Sequence, residues 1–165
     1  MKILKIQALR GPNIWSVQRK KLIQMRLDLE EMEQFPTNKI EGFRERIEAM
    51  FPTMIEHRCS EGCRGGFFSR VDRGTWMGHV IEHIALEIQT LAGMETGFGR
   101  TRETKTPGVY NVVFSYTEEN VGLFAAESAV AIAESLIAGT EYDVEADIQK
   151  MREIRERVRL GPSTG

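Results

Sequence analysis

Apolar and polar positions alternate along residues 21–29 (KLIQMRLDL), where Ile23, Met25, Leu27 and Leu29 are separated by Gln24, Arg26 and Asp28. A period of two with one wet face predicts a strand resting on a core. Residues 2–9 (KILKIQAL) set Ile3 and Ile6 among lysines in a second extended run, closed by the turn pair Gly11–Pro12. Residues 109–116 (VYNVVFSY) follow Pro107–Gly108 and are rich in β-branched and aromatic types, which predicts a buried third strand.

Elsewhere the period is helical. Residues 38–50 place Ile40, Phe43, Ile47 and Met50 on one face, after Thr37 and Asn38 as candidate caps. Residues 75–92 carry a stripe from Met77 through Val80, Ile81, Ile84 and Ile88, with Thr75 as the expected N-cap and Gly93 as the expected stop. Residues 118–138 begin with Glu118 and Glu119 and end before Gly139, as the helix dipole and a glycine C-cap favour. Residues 143–159 are charged around a thin seam of Ile148, Met151, Ile154 and Val158. The stretches 58–74 and 93–108, rich in glycine and charge, read as loops on either side of the 75–92 helix. The expectation is an α+β fold: about three strands in a mainly antiparallel sheet, two of them an N-terminal hairpin, packed with about four helices.

Composition narrows the function classes. With 165 residues and 41% hydrophobic content, the chain is expected to be one domain over 1–160, with Gly161–Gly165 the start of a linker. A net charge of −2 supplies no general field for nucleic acid or an anionic membrane. Apolar runs are short and broken by charge, so no span is expected, and no signal peptide is read at the start. Two cysteines among eight methionines suit a reducing cytoplasm.

Two of the three histidines fall in His79-Val-Ile-Glu82-His83, an H-x-x-E-H pattern. At about 100° per residue, His83 lies roughly 40° from His79 and Glu82 roughly 60° to the other side, so the three share one face. Two imidazoles one turn apart can ligate one Zn²⁺, with Glu82 beside them as a general base toward a water on the metal. Glu87 falls on the same face and could orient His83 from behind. A catalytic zinc takes a third protein ligand, and the 118–138 helix offers Glu118, Glu119, Glu127 and Glu134. Glu127, mid-helix among alanines and serine, is the expected ligand, with Glu119 as its supporting partner. The bland alternative is that such a pair is solvated helix surface.

Other clusters carry less. Cys59 and Cys63 with His57 lack a standard structural zinc spacing and a second cysteine pair, so a loop thiol is expected. Walker A and Rossmann patterns are absent, and ATP is not expected in this chain. Arg64, Arg70 and Arg100 stand in the two loops, where guanidinium forks suit substrate carboxylates; solvated loop charge is the competing reading.

The segments RCSEGCRGGFFSRV, GTWMGHVIEHIALEIQTLAGM and GFGRTRETKTPGVYNVVFSY closely resemble the N-terminal domain of cyanobacterial cyanophycin synthetases, over the whole chain. The resemblance implies a longer enzyme, oligomeric as a whole, whose ATP- and Mg²⁺-using ligase domains are not in this chain. It implies that this domain binds cyanophycin, a poly-aspartate with arginine on each side chain. In some members the domain also cuts the polymer into primers in a metal-dependent way. The H-x-x-E-H resembles that of insulin-degrading and pitrilysin-type metallopeptidases, which implies His79 and His83 as metal ligands and Glu82 as the base. A polymer tether without metal, or an oligomerisation scaffold, is the alternative.

Overall fold

The alternation along β2 (Leu22–Asp28) is realised as drawn: Ile23, Met25 and Leu27 are fully buried, while Gln24, Arg26 and Asp28 face the wet side. In the computed structural model, which describes residues 1–16 and 21–160, β1 (Lys2–Leu9) pairs antiparallel with β2, as the hairpin expectation requires. Two further strands complete the sheet, β3 (Gly99–Glu103) and β4 (Val109–Ser115), in the antiparallel order β1-β2-β4-β3. Register places Met25 opposite both Ile6 and Val112, and Val112 opposite Thr101. One core-facing row thus crosses all four strands.

Five α-helices are present among the described residues: α1 (Phe43–Met50), α2 (Gly66–Arg73), α3 (Met77–Leu91), α4 (Glu119–Ala138) and α5 (Val144–Leu160). Helix α3 lies over β3 and β4, α4 lies over β1 and β2, and the two helices pack along each other. Both helices bring small and branched residues to the shared core, Ala85 and Ile88 on α3 and Ala125, Ala129 and Ile132 on α4. Helix α4 has the length and apolar composition to cross a bilayer; here its inward residues form the domain core.

Four expectations are corrected. Strand β3 lies inside the stretch read as the loop 93–108, and α2 lies inside the loop 58–74. The helix expected from residue 38 starts at Phe43, because Gly42 adopts a left-handed conformation (φ 66°) after a single 3₁₀ turn at Thr37–Lys39. The N-cap of α3 is Trp76, and Thr75 instead turns its hydroxyl to His79. The linker reading of 161–165 lies outside the described residues.

Candidate metal centre

The centre is assembled where the segment before α2 folds back on α3. Helix α2 opens at Gly66, where a Cβ would run into the carbonyl of Arg58; only a glycine lets the two backbones meet so closely. The amide of Phe67 donates to the His57 carbonyl at 3.1 Å and that of Gly65 to Ile55 at 2.7 Å, fixing residues 55–59 against the helix start. Cys59 then adopts a left-handed conformation (φ 52°), which costs a non-glycine residue about 1–2 kcal/mol. It sits at the head of a short 3₁₀ turn, Cys59–Glu61. Local backbone strain of this kind is held where the surrounding structure over-determines it.

On the facing helix, residues one turn apart carry the imidazoles. Cys59 Sγ lies 3.1 Å from His79 Nε2. One donor atom each from Cys59, His79 and His83 all lie within 4.8 Å of one another. Nitrogen and sulfur ligands of one tetrahedral Zn²⁺, at ~2.0–2.1 and ~2.3 Å from the ion, would stand about 3.6 Å apart. The observed pair therefore needs an adjustment of only a few tenths of an ångström. Two imidazoles and one thiolate are a donor set zinc accepts, with a fourth position left for water or substrate.

Phe67 organises the rings. It is fully buried, and its centroid lies 4.5 Å from that of His83, with His79 and His57 at 6.0 and 6.3 Å. The rings of His79 and His83 stand edge to face at 4.7 Å. Burial drives the pKa of His79 down to about 4, helped by the nearby Arg70 guanidinium. Burial also holds His83 well below the usual histidine range, with His79 and His57 adding to the effect. Both rings are thus neutral at physiological pH, the form that ligates a metal.

Glu82 is buried at 6% exposure, and burial raises its pKa to about 7 against the opposing pull of a Thr101 hydrogen bond and the Arg100 charge. The Thr101 hydroxyl donates to Oε2 at 2.6 Å. Strand β3 comes this close to α3 because Gly99 has no side chain: a Cβ there would overlap the Glu82 carboxylate. The centre opens into a cleft of about 1000 Å³ lined by Cys59, His79, Glu82 and His83 together with Arg70 and Trp76.

Comparison with known proteins decides the family. A family model described as the cyanophycin synthase-like N-terminal domain matches residues 24–138. The chain belongs to this family. It is similar to cyanophycin synthetases of Synechocystis sp. (52% identical), Geminocystis herdmanii (53%) and Trichormus variabilis (52%), each match covering 99% of this chain. It spans only 18–19% of the length of these relatives.

Within this cyanophycin synthase-like domain, the structure brings together His79, Glu82, His83, Glu87 and Arg70. It does not bring Glu127 to them. That side chain is exposed on α4 and does not line the cleft, because the alanines that surround it in sequence supply the buried face and leave it the wet one. Glu119 stands at the start of α4 and pairs with Arg10 at 2.5 Å, away from the cleft. Glu87 does not touch His83 directly; it meets His57 Nε2 at 2.8 Å, and His57 in turn meets His83. Arg64 is exposed and paired with Glu56 at 2.7 Å. Arg100 points from the exposed side of β3, with its guanidinium 5.8 Å from the centre of the Phe98 ring. Arg70 lines the cleft, and its Nε is buried without a hydrogen-bond partner.

Sequence reasoning missed Cys59, His57 and Thr101. Cys59 and His57 precede α3 by some twenty residues and were weighed only with each other and with Cys63. The signal was present in the glycines at 65 and 66, which turn that segment back on the helix.

Proposed function

We propose that this domain is a zinc-dependent hydrolase that cuts the poly-aspartate backbone of cyanophycin and so supplies primers for the ligase domains of the longer chain. The observation that carries the proposal is the convergence of Cys59, His79 and His83 donors within 4.8 Å at the floor of a cleft shared with Glu82. Cys59 takes the place of Glu127 as third ligand in this reading. The ATP- and Mg²⁺-dependent additions of aspartate and arginine, and assembly of the whole enzyme into oligomers, are assigned to regions of the longer chain.

Cys59, His79 and His83 would hold the zinc, which would supply a Lewis acid and a more acidic water. Glu82, with a pKa of about 7, is suited to take a proton from an attacking water and return it to the leaving amine. Thr101 keeps the carboxylate turned to one side, so the second oxygen is left for the proton transfer. Arg70, which lines the cleft, brings a guanidinium to suit a substrate carboxylate, and Arg100 offers a second cation outside the cleft. Glu56, exposed on the cleft wall, suits an arginine side chain of the polymer that displaces its present partner Arg64. A repeating polymer engages such contacts many times over.

Glu82→Gln tests the role of the base. The variant is expected to lose polymer cleavage by at least about 100-fold while binding zinc and polymer as before. Cleavage at the wild-type rate would overturn the mechanism. Unaltered polymer binding in a wild-type chain that never cleaves would leave the domain a tether.

A further inference from the structure

Strand β3 is an edge of the sheet. It pairs with β4 on one side, and no other described strand lies beyond it. The pairing settles where its main-chain groups point. The Ser115 amide donates to the Phe98 carbonyl at 2.8 Å and the Thr104 amide to the Val109 carbonyl at 2.7 Å. In an antiparallel ladder, residues 98, 100, 102 and 104 thus turn their amides and carbonyls to β4. Gly99, Thr101 and Glu103 turn theirs to the open side, where no main-chain bond reaches them among the described residues.

This open edge borders the reaction centre. Gly99 and Thr101 line the cleft, and the Thr101 hydroxyl holds Glu82. The missing side chain of Gly99 brings the strand against the same carboxylate. On its other face β3 carries Arg100 and Arg102, both exposed. Register sets Arg102 in one row with Asn111 and Arg26, on the wet side of the sheet.

We propose that the main chain of a cyanophycin segment docks on β3 as a fifth strand, bonded to the main chain of Gly99, Thr101 and Glu103, with every second side chain laid beside Arg100 and Arg102. This deepens the hydrolase reading above and rests on it for the identity of the substrate. A peptide added to a free sheet edge gains affinity from main-chain bonds, which are the same at every step. That suits a polymer whose residues are all alike: no side-chain sequence has to be read, and any internal bond can be brought to Glu82. Side chains of an extended chain recur on one face about every 6.6–6.8 Å, the interval at which residues 100 and 102 follow each other along β3. Arginine joined through its amine to an aspartate side chain keeps a free carboxylate, which a guanidinium fork matches. Charges on an edge strand also discourage pairing with another copy of the chain, and so keep the edge open for a ligand of complementary charge.

The test is amide hydrogen exchange of the wild-type chain in chelator, with and without short cyanophycin fragments, so that nothing is cut. Bound fragments are expected to slow exchange at Gly99, Thr101 and Glu103 by about tenfold or more, while β1, the opposite edge, keeps its rates. Fragments that bind and leave all three amides at their free rates would overturn the docking. Cleavage kinetics supply a second arm. Glu103→Pro removes one outward amide and spares the bonds to β4. It is expected to raise KM about two- to tenfold more than Glu103→Gln, which keeps that amide. Equal KM in the two variants would also overturn the docking. Arg102→Ala is expected to weaken fragment binding about two- to fivefold, the worth of an exposed ion pair, and unaltered binding would overturn the side-chain register. Protection of the three amides in a chain that cleaves nothing once zinc is restored would refute the hydrolase reading and leave the docking standing. Cleavage without protection would do the reverse.

Discussion

The hydroxyl of Thr101 donates to Glu82 at 2.6 Å across the junction of an edge strand and the central helix. This bond favours the ionised carboxylate, whereas burial favours the neutral acid, and burial wins enough to leave the pKa at about 7. Thr101→Val removes the opposing contribution. The acid is then expected to ionise only at higher pH, and cleavage at pH 7 to fall roughly tenfold, for the loss of a hydrogen bond to a charged group worth about 1.5–3 kcal/mol. A rate–pH profile of the variant should shift its rising limb to higher pH; an unshifted limb would show that Thr101 does not govern the base.

Gly99 sets how near β3 comes to that carboxylate. Gly99→Ala places a methyl group where the Glu82 oxygen sits, so the side chain must move. Cleavage is expected to drop at least tenfold while zinc affinity, measured on the same preparation, stays within twofold, since the atoms that the added methyl group meets first are those of the Glu82 carboxylate. Equal loss of both properties would point to a general collapse of the site.

The third ligand separates two readings cleanly. Cys59→Ser is expected to weaken zinc binding by about 10–100-fold or more, because a serine hydroxyl is a poor zinc donor at neutral pH. Glu127→Gln, an exposed change on α4, is expected to leave affinity untouched. The reverse pattern would return Glu127 to the centre.

Most of the fold was legible in the residues, and the two omissions have physical causes. Strand β2 and helices α3 and α5 repeat an apolar period long enough to read, while β1 and β4 are marked by apolar runs beside Gly–Pro turns and α4 by its acidic start and its Gly139 cap. Strand β3 (GRTRE) shows no apolar residue at all; it is held by backbone pairing to β4, and its inward positions are small so that Glu82 can fit. Helix α2 has eight residues and starts on glycine, too short for a period to emerge and led by a residue that speaks for a turn. The site divided in the same way. The imidazole pair and Glu82 share one helix, where spacing alone places them. Cys59 and His57 arrive through tertiary folding of the 57–66 segment, and Glu127 was drawn in by alanine neighbours that in fact mark the opposite, buried face of α4.

Protonation of Glu82 should also be visible in stability. Its pKa rises from 4.5 unfolded to about 7 folded, so the folded chain holds the proton more tightly. The associated stability is full below pH 4.5 and is lost as pH rises through 7, by about 3 kcal/mol at roughly 1.4 kcal/mol per unit. His79 acts the other way, costing stability as pH falls from 6.5 toward 4. Comparing the metal-free wild type with Glu82→Gln isolates the first effect: the variant's advantage in denaturant midpoint should grow between pH 4.5 and 8. A difference independent of pH would refute the raised pKa.

The most direct test of the hydrolase reading is the chain length of cyanophycin followed over time with the purified domain, before chelation, after it, and after zinc is restored. Progressive shortening that stops with the chelator and resumes with zinc is the predicted result. Polymer of constant length under every metal condition, still bound by the domain, would contradict it.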